Sequence, residues 1–552
     1  MSGSEHSPHG TFPDGLTETD RARIERHGLD LAEVSRQLRL LRHEPPPIQL
    51  DRPCTVGDGI LRLSEQRHAA LQDRFQAAAA AGRFAKFVPA SGAATRMFRG
   101  LLAARNAGTL KLGSTEADEA KRFLSEMGRF PFRDLLSEVL NERGLELDEL
   151  ARKAEAQSAL EALLDEATDD APALGFGSYP KALIPFHATD SGPRTPLDEH
   201  VEEAAEHLRS HDGVCSVHFT IPQHRELEFR QAFRDIVARL EARLGGRYEL
   251  SCSIQRPSTD TVAVRLAEDG SSELAAPLRD EEGRLLFRPG GHGALLVNLG
   301  EVVQETGADL VFLRTIDNVL PAAQRREVLL WNRLLGGYLL ELEQGIVQHL
   351  GALERAERAG SVGESEVDAG LRFAAERLNL AHALDYLDRP LRVKHAWLVD
   401  RLDRPLRVCG MVKNEGEPGG GPFWVRHVSS DSEVGQVTTP QIVEQAQVNR
   451  RDPQQTDIAG AATHFNPVNM VCRLRSHRGD PYDLASFVDP DTVFLSNKSH
   501  QGQPIRVLER PGLWNGAMAR WNTVFVEIPA SIFAPVKTVF DLLRPAHQPS
   551  AR

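Results

Sequence analysis

The sequence predicts an α/β protein built on a mostly parallel sheet with helices on its faces, and three observations carry that expectation. Short β-rich runs alternate with helical stretches: Val214 to Ile221 and Tyr248 to Ile254 read as strands, Arg225 to Leu244 as the helix between them, and Leu310 to Ile316 as a further strand. A chain of 552 residues, at roughly 150 residues per domain, has material for two to four domains and a large core. Its 41% hydrophobic and 26% charged residues are those of a globular protein, which excludes a wholly disordered, collagen-like or coiled-coil chain.

The elements follow in order. Residues 1–14, rich in Ser, His, Gly and Pro, are expected to form a disordered tail with His6 and His9 solvated. Residues 15–85 read as an N-terminal helical region. Thr17 with Asp20 three positions on marks a helix start, and Leu29, Leu31, Val34, Leu38 and Leu41 keep near-helical spacing until Pro45–Pro47. Ser64 to Ala81 is a second, Ala-rich helix. Phe87-Val88-Pro89 is a short apolar run opening the main domain, 86–547. From about 100 to 170 the composition is Leu, Ala, Glu and Arg, a helical insertion broken at Phe130-Pro131-Phe132. A second helical region covers about 322–387, interrupted near Gly360, and later strands are expected at Arg407–Val412, Met470–Leu474, Thr492–Leu495 and Thr523–Ile528. The heptapeptide Leu-Asp-Arg-Pro-Leu-Arg-Val occurs at Leu387–Val393 and again at Leu402–Val408, too little for a solenoid. The charge runs Glu202-Glu203 and Arg325-Arg326 are expected to be solvated helix faces, and Trp514 and Trp521 to be core or interface residues.

Charge and cysteine content narrow the function classes. Acidic residues outnumber basic ones, 78 to 65, and the net charge of −13 argues against sequence-independent nucleic-acid binding. Five scattered cysteines without C-x-x-C spacing are expected to be reduced and mostly buried. No apolar run approaches the roughly 18 residues that span a bilayer, and the polar N-terminus has no signal-like apolar stretch, so no membrane association is expected and the cytoplasm is the expected compartment.

Five constellations carry potential chemistry. In Ser91-Gly92-Ala93-Ala94-Thr95-Arg96, a strand gives way to small residues and then a helix: backbone N–H groups there can approach a phosphate and Arg96 adds a bidentate donor, although the same pattern is a common packing solution. Pro180-Lys181 follows the flexible Gly175-Phe176-Gly177, and taken alone Lys181 reads as a surface lysine at the start of a strand. Pro289-Gly290-Gly291-His292-Gly293 opens a helix, fitting close approach to a planar ring or phosphate, or an ordinary turn. Ile316-Asp317-Asn318 puts an acid directly after a strand, where open α/β sheets bind ligands and where Mg²⁺ finds a carboxylate; it also suits a helix cap. Pro535-Val536-Lys537-Thr538 places a second lysine after a proline near the C-terminus.

In this order the five stretches resemble the UDP-glucose pyrophosphorylases and their UDP-sugar pyrophosphorylase relatives. Gln441-Ile442-Val443-Glu444-Gln445-Ala446-Gln447-Val448 and Thr463-His464-Phe465-Asn466-Pro467-Val468-Asn469 extend the resemblance, which covers about Lys86 to His547. At closer range, Val88 to Met97, Gly416 to Pro422 and Trp514 to Met518 resemble an uncharacterised bacterial family of unknown function. The resemblance implies a GT-A-type nucleotidyltransferase fold, a Rossmann-like mixed, mostly parallel sheet. The implied activity is uridylyltransfer from UTP to a sugar 1-phosphate with Mg²⁺, giving a UDP-sugar and pyrophosphate. It further implies catalytic cations at Arg96, Lys181 and Lys537 and the metal at Asp317. Nucleotide contacts would fall at Ser91, Gly92, Ala93, Thr95, Gln255, Gly291, His292 and Gly293, and sugar contacts at Asn318, Glu444, Asn466 and Asn469. Two departures stand out: Ala93 and Ala94 replace glycines, and the helical insertion lengthens the connection to Lys181. The alternatives are a non-catalytic nucleotide or sugar-nucleotide binding protein of the same fold, and a protein that binds a partner through the insertion.

Overall fold

The structure, a computed structural model, describes residues 15–549 apart from 108–114, 154, 268–269, 271, 273–274, 417–418 and 429–435. The tail expected over 1–14 lies outside the described residues. The central sheet is built, in chain order, from β1 (Thr55–Val56), β2 (Gly59–Leu61), β3 (Phe84–Pro89), β4 (Val214–Thr220), β5 (Arg247–Ser253), β6 (Leu310–Arg314), β7 (Leu406–Lys413), β8 (Asn469–Arg473) and β9 (Asn522–Glu527). Across the sheet they run β1-β2-β9-β7-β8-β6-β3-β4-β5, with His464–Phe465 paired to β7 off this path. Only β8 is antiparallel to its neighbours; every other adjacent pair on the path is parallel. The expected class, α/β with a mixed, mostly parallel sheet, is the class observed.

The path places a crevice. From β3 the chain proceeds to β4 and β5 on one side, then returns to β6 on the other side of β3 and goes on from there to β7. The connections thus leave the adjacent strands β3 and β6 in opposite directions, and open α/β sheets bind ligands at the carboxyl ends of such a strand pair. Those ends carry Ala90–Ala94 and Thr315–Asn318.

Helices cover both faces. On one lie α3 (His68–Ala80), α9 (Pro196–His207), α10 (Glu226–Leu244) and α12 (Arg326–Arg358), sharing a core with Val217, Phe219, Phe312 and Val408. On the other, α11 (Leu296–Thr306) packs over Ala85, Phe87, Val311 and Leu313. Helix α12 lies close on α3 because Gly336 and Gly337 face it: a Cβ on Gly337 would stand 2.0 Å from the Leu71 carbonyl oxygen.

Two flanking regions matter for the site. The insertion comprises α4 (Arg99–Ala107), α5 (Thr115–Ser125), α6 (Arg133–Glu142), α7 (Leu147–Lys153) and α8 (Ala156–Leu164), with the expected break at Phe130–Phe132. Its core includes Val536, Val539, Leu542 and Leu543, so the C-terminal segment of the same chain seals its inner side. At the N-terminus, α1 (Glu18–His27) begins with the Thr17/Asp20 capping box, and with α2 (Leu31–Arg42) it packs on Val262, Val264 and Leu508. The stretch 15–85 is not purely helical: Gln49–Pro53 pairs with Gly421–Val428, and β1 and β2 form the sheet edge. These strands are too short for their periodicity to register in the sequence.

The expectation of solvated charge runs is overturned at Glu202, Glu203 and Arg325, all buried. Helix α9 lies inside the fold with acidic residues at several turns, and basic side chains from other elements meet them. Lys86 Nζ donates to Glu203 at 2.8 Å, Arg314 approaches the same carboxylate at 3.4 Å, and Arg325 pairs with Glu199. The cations come from strands and helices far away in sequence, so the local pattern of α9 looks solvent-facing. Arg326 is exposed, as expected.

Candidate functional site

At the carboxyl ends of β3 and β6 four sequence-distant segments close on one another. The loop after β3 is laced to the Pro-Lys segment: Lys181 N donates to Gly92 O at 3.1 Å and Ala94 N to Tyr179 O at 2.9 Å. The C-terminal segment is laced to the turn after β6, with Val536 N donating to Asp317 O at 3.0 Å and Ala534 N to Asn318 Oδ1 at 3.0 Å. These backbone links bring Lys181 and Lys537 onto one oxygen. Lys181 Nζ lies 3.2 Å and Lys537 Nζ 2.8 Å from Asp317 Oδ2, while Lys181 also donates to Val536 O at 2.8 Å.

The two lysines differ in freedom. Lys181 is 13% exposed and held at two points; Lys537 is 61% exposed. Burial pushes the Lys181 ammonium below the usual lysine range, partly offset by Asp317. Burial alone would raise the Asp317 carboxyl, but Lys537 and Lys181 outweigh it and hold the group below the usual carboxylate range. Asp317 is therefore ionised at neutral pH, and two ammoniums against one carboxylate leave a positive surplus. Its Oδ1 is buried and has no hydrogen-bond partner among the described residues.

Ser91, Gly92 and Ala93 are exposed on the loop. Ala93 is extended, φ −70° and ψ 152°, and a Cβ built on Gly92 would meet nothing within 4 Å. Neither backbone conformation nor packing within the chain requires glycine at 92. Thr95 is also exposed, its hydroxyl donating to Gly177 O at 3.2 Å, and Arg96 is exposed beside Thr538 and Asp541.

A second cluster stands at the start of α11. His292 stacks on Trp514, centroids 4.2 Å apart and planes at 24°, and its Nδ1 accepts from Leu513 N at 3.1 Å. Burial lowers the imidazole to about 4, so it is neutral with its proton on Nε2, 3.8 Å from Glu444. Trp514 Nε1 donates to Glu444 Oε1 at 3.2 Å, and burial raises the Glu444 carboxyl. Gly291 and Gly293 are explained by the fold: Gly291 takes φ +74°, which favours glycine, and a Cβ on Gly293 would stand 1.9 Å from Pro511 O. Trp514 is thus part of this cluster as well as of the core beneath it, which the sequence does not reveal; Trp521 is core, as expected.

The remaining candidates are dispersed. The Gln255 amide is 3.4 Å from Asp260, which also meets His27 of α1. Asn466 turns its Oδ1 to Val468 N at 3.1 Å. Asn318 and Asn469 are buried: the first accepts from Ala534 N, and the second donates to Asn332 at 3.3 Å. Both support backbone or helix rather than line the crevice.

Among the described residues no group of three or more His, Cys, Asp or Glu is placed to hold a metal, no helix is long and apolar enough to cross a membrane, and the cysteines are free, four of the five buried.

Fold and site together define an α/β protein whose cationic crevice lies where a mostly parallel sheet reverses its winding. The chain belongs to the DUF4301 family, described as a domain of unknown function, which matches residues 17–548. No curated protein matches it in sequence. Among solved structures it is similar to a UDP-glucose pyrophosphorylase mutant from Leishmania major in complex with UDP-glucose, at 14% identity and TM-score 0.42, covering 97% of this chain and 79% of that one. It is also similar to the uridine diphosphate N-acetylglucosamine pyrophosphorylase from Trypanosoma brucei in complex with an inhibitor, at 12% identity and TM-score 0.44, covering 96% and 79%.

Proposed function

We propose that the crevice transfers a nucleotidyl group, most specifically uridylyl from UTP to a sugar 1-phosphate, releasing pyrophosphate and a UDP-sugar. The observation that carries this reading is the meeting of Lys181 and Lys537 on Asp317 beside the loop at Gly92. A phosphate oxygen of the sugar 1-phosphate attacks the α-phosphorus, and the bond to the β-phosphate breaks with its electron pair leaving on pyrophosphate. The attacking monoester is largely dianionic near pH 7, its second pKa being about 6, so the step needs no protein base. It needs alignment and neutralisation of charge.

Lys181, fixed by Val536 O, supplies a positioned cation at the α-phosphate. Lys537, largely exposed, is free to leave Asp317 and follow the charge as it moves onto pyrophosphate. Arg96, beside Thr538, is the third candidate cation, and open space at Gly92 lets phosphate oxygens approach backbone N–H groups. His292, with Gly291, Gly293 and Trp514, offers a neutral aromatic wall for base or ribose, and Gln255 is the candidate for reading uracil. Glu444 and Asn466 are the candidates for sugar hydroxyls. The unpartnered Asp317 Oδ1 fits a divalent cation arriving with the triphosphate, since Mg²⁺ takes one or two carboxylates and fills its remaining positions with phosphate oxygens and water. Such an ion would neutralise phosphate charge.

Ala93 favours a second reading, a nucleotide-binding protein without turnover, because its Cβ narrows the loop on which a triphosphate would settle. Pyrophosphate release with Mg²⁺, crossing nucleoside triphosphates with sugar 1-phosphates, separates the two. Release requiring one nucleotide and one sugar, and lost in Lys537→Ala, establishes transfer. Silence from folded protein that still binds UTP establishes the binding protein, and silence without binding removes both.

A further inference from the structure

Beside the crevice, between the insertion and the C-terminal segment, lies a cavity of ≈ 450 Å³ whose charged lining is Arg96, Arg99, Arg122, Arg544, Glu119 and Asp541. In a chain carrying a net charge of −13, four guanidiniums around one hollow are unusual. Arg544 is paired with Asp541 at 2.6 Å, and Asp541 also accepts from Lys537 N and Thr538 N. That accounts for one cation. Arg96, Arg99 and Arg122 have no carboxylate within ion-pair distance among the described residues, Arg122 lying instead over the Phe540 ring at 4.3 Å. Three guanidiniums against the Glu119 carboxylate leave two positive charges facing the cavity.

We infer that this cavity is a binding site for the dianion of a phosphate monoester, adjoining the crevice at Asp317 and sharing Arg96 with it, but centred on Arg99 and Arg122, which the crevice does not use. A phosphate monoester carries about −1.5 to −2 charges at pH 7, which matches that surplus, and guanidiniums bind phosphate oxygens in bidentate fashion. The volume lies within the roughly 300–1,000 Å³ of small-molecule sites, leaving room for an organic group the size of a sugar. The walls come from Arg96 and Met97, α4, α5 and the segment 538–544, so an occupant ties the insertion to the segment that follows Lys537.

The site is independent of nucleotidyl transfer, and its test uses binding alone. Glucose 6-phosphate, glycerol 3-phosphate and inorganic phosphate are titrated calorimetrically into the full chain without nucleotide; the first two carry no anomeric phosphate and are not substrates of the proposed transfer. At least one monoester is expected to bind more tightly than inorganic phosphate. Its affinity should fall by about tenfold or more in Arg99→Gln/Arg122→Gln and stay unchanged in Lys181→Ala. Both arginines are exposed, and the single variant Arg99→Glu serves if the double variant unfolds. Absence of monoester binding, inorganic phosphate binding as tightly as the esters, equal affinity in the arginine variants, or loss in Lys181→Ala each overturns the inference.

Discussion

Asp317 and Glu203 are each a carboxylate set between two cations, yet they do opposite things. Glu203, with Lys86 and Arg314, is sealed beneath the sheet, every member 3% exposed or less. Asp317, with Lys181 and Lys537, sits at the sheet's edge, one lysine fixed and the other 61% exposed. Charge count alone does not distinguish them. Exposure does: in the first cluster no partner can leave without stranding a buried charge, whereas in the second the exposed Lys537 can leave Asp317 for solvent, as the proposed transfer requires. A buried ion pair gives little net stability but is costly to break. An edge cluster is cheap to rearrange, which is what a site that must bind and release polyanions requires.

The largest effect belongs to the sealed cluster. Glu203→Gln leaves Lys86 and Arg314 buried without their counter-charge and should lower the unfolding free energy by about 3–5 kcal/mol, read from urea unfolding. A loss below about 1 kcal/mol would mean the sealed cluster behaves like a surface pair and would break the contrast. Next comes the edge cluster. Lys537→Ala should reduce pyrophosphate release by about 10²- to 10³-fold, the usual cost of losing one donor to developing charge. Its unfolding free energy should change by less than about 1 kcal/mol, since the side chain is exposed. Parallel losses of stability and turnover would show that Lys537 is structural.

Acid sharpens the same division. Beside Glu203, burial lowers the His207 imidazole to about 3, against about 6.5 when unfolded. Between those values the unfolded chain binds a proton that the folded chain does not, so the stability His207 contributes is complete above pH 6.5 and declines as pH falls toward 3. Asp317, already below the usual carboxylate range, loses its charge only in more acidic solution. Unfolding followed from pH 7 to 5 should therefore show falling stability, and His207→Gln should flatten the slope by up to about 1.4 kcal/mol per pH unit. An unchanged slope would remove His207 from the account.

The two copies of Leu-Asp-Arg-Pro-Leu-Arg-Val show how far local sequence reaches. In the first, Pro390 precedes a helix, Leu391–Leu402, with Arg392 exposed. In the second, Leu406 begins β7, and Arg407, fully buried, donates to Thr523 Oγ1 at 2.9 Å. The same residues take different forms because the second copy lies between β8 and β9, which supply its strand partners, while the helix that the first copy opens packs against the helix Glu364–Arg377. The longer sheet strands, α3, α10 and α12 are legible because each carries its own periodicity, whereas the two-residue and three-residue edge strands β1 and β2 are not. Lys181, Asp317 and Lys537 were legible from their order along the chain. The burial of Glu203, the pairing of Trp514 with His292 and the arginine cavity were not, since each is made by residues far apart in sequence that meet only once the sheet has formed.

Two glycines give the smallest and most discriminating test. Gly293 is dictated by the fold: a Cβ there would stand 1.9 Å from Pro511 O, so Gly293→Ala must displace backbone and should destabilise by about 1–3 kcal/mol. Gly92 is not dictated by the fold, because its Cβ would enter open space from an ordinary backbone conformation, and Gly92→Ala should leave stability within about 0.5 kcal/mol. If that open space is where phosphate oxygens approach the loop, the added methyl should weaken UTP binding about tenfold while the unfolding curve stays in place. Unchanged UTP affinity would mean the space at Gly92 is merely exposed surface, and would leave the edge cluster at Asp317 without the loop that the nucleotidyl-transfer reading requires.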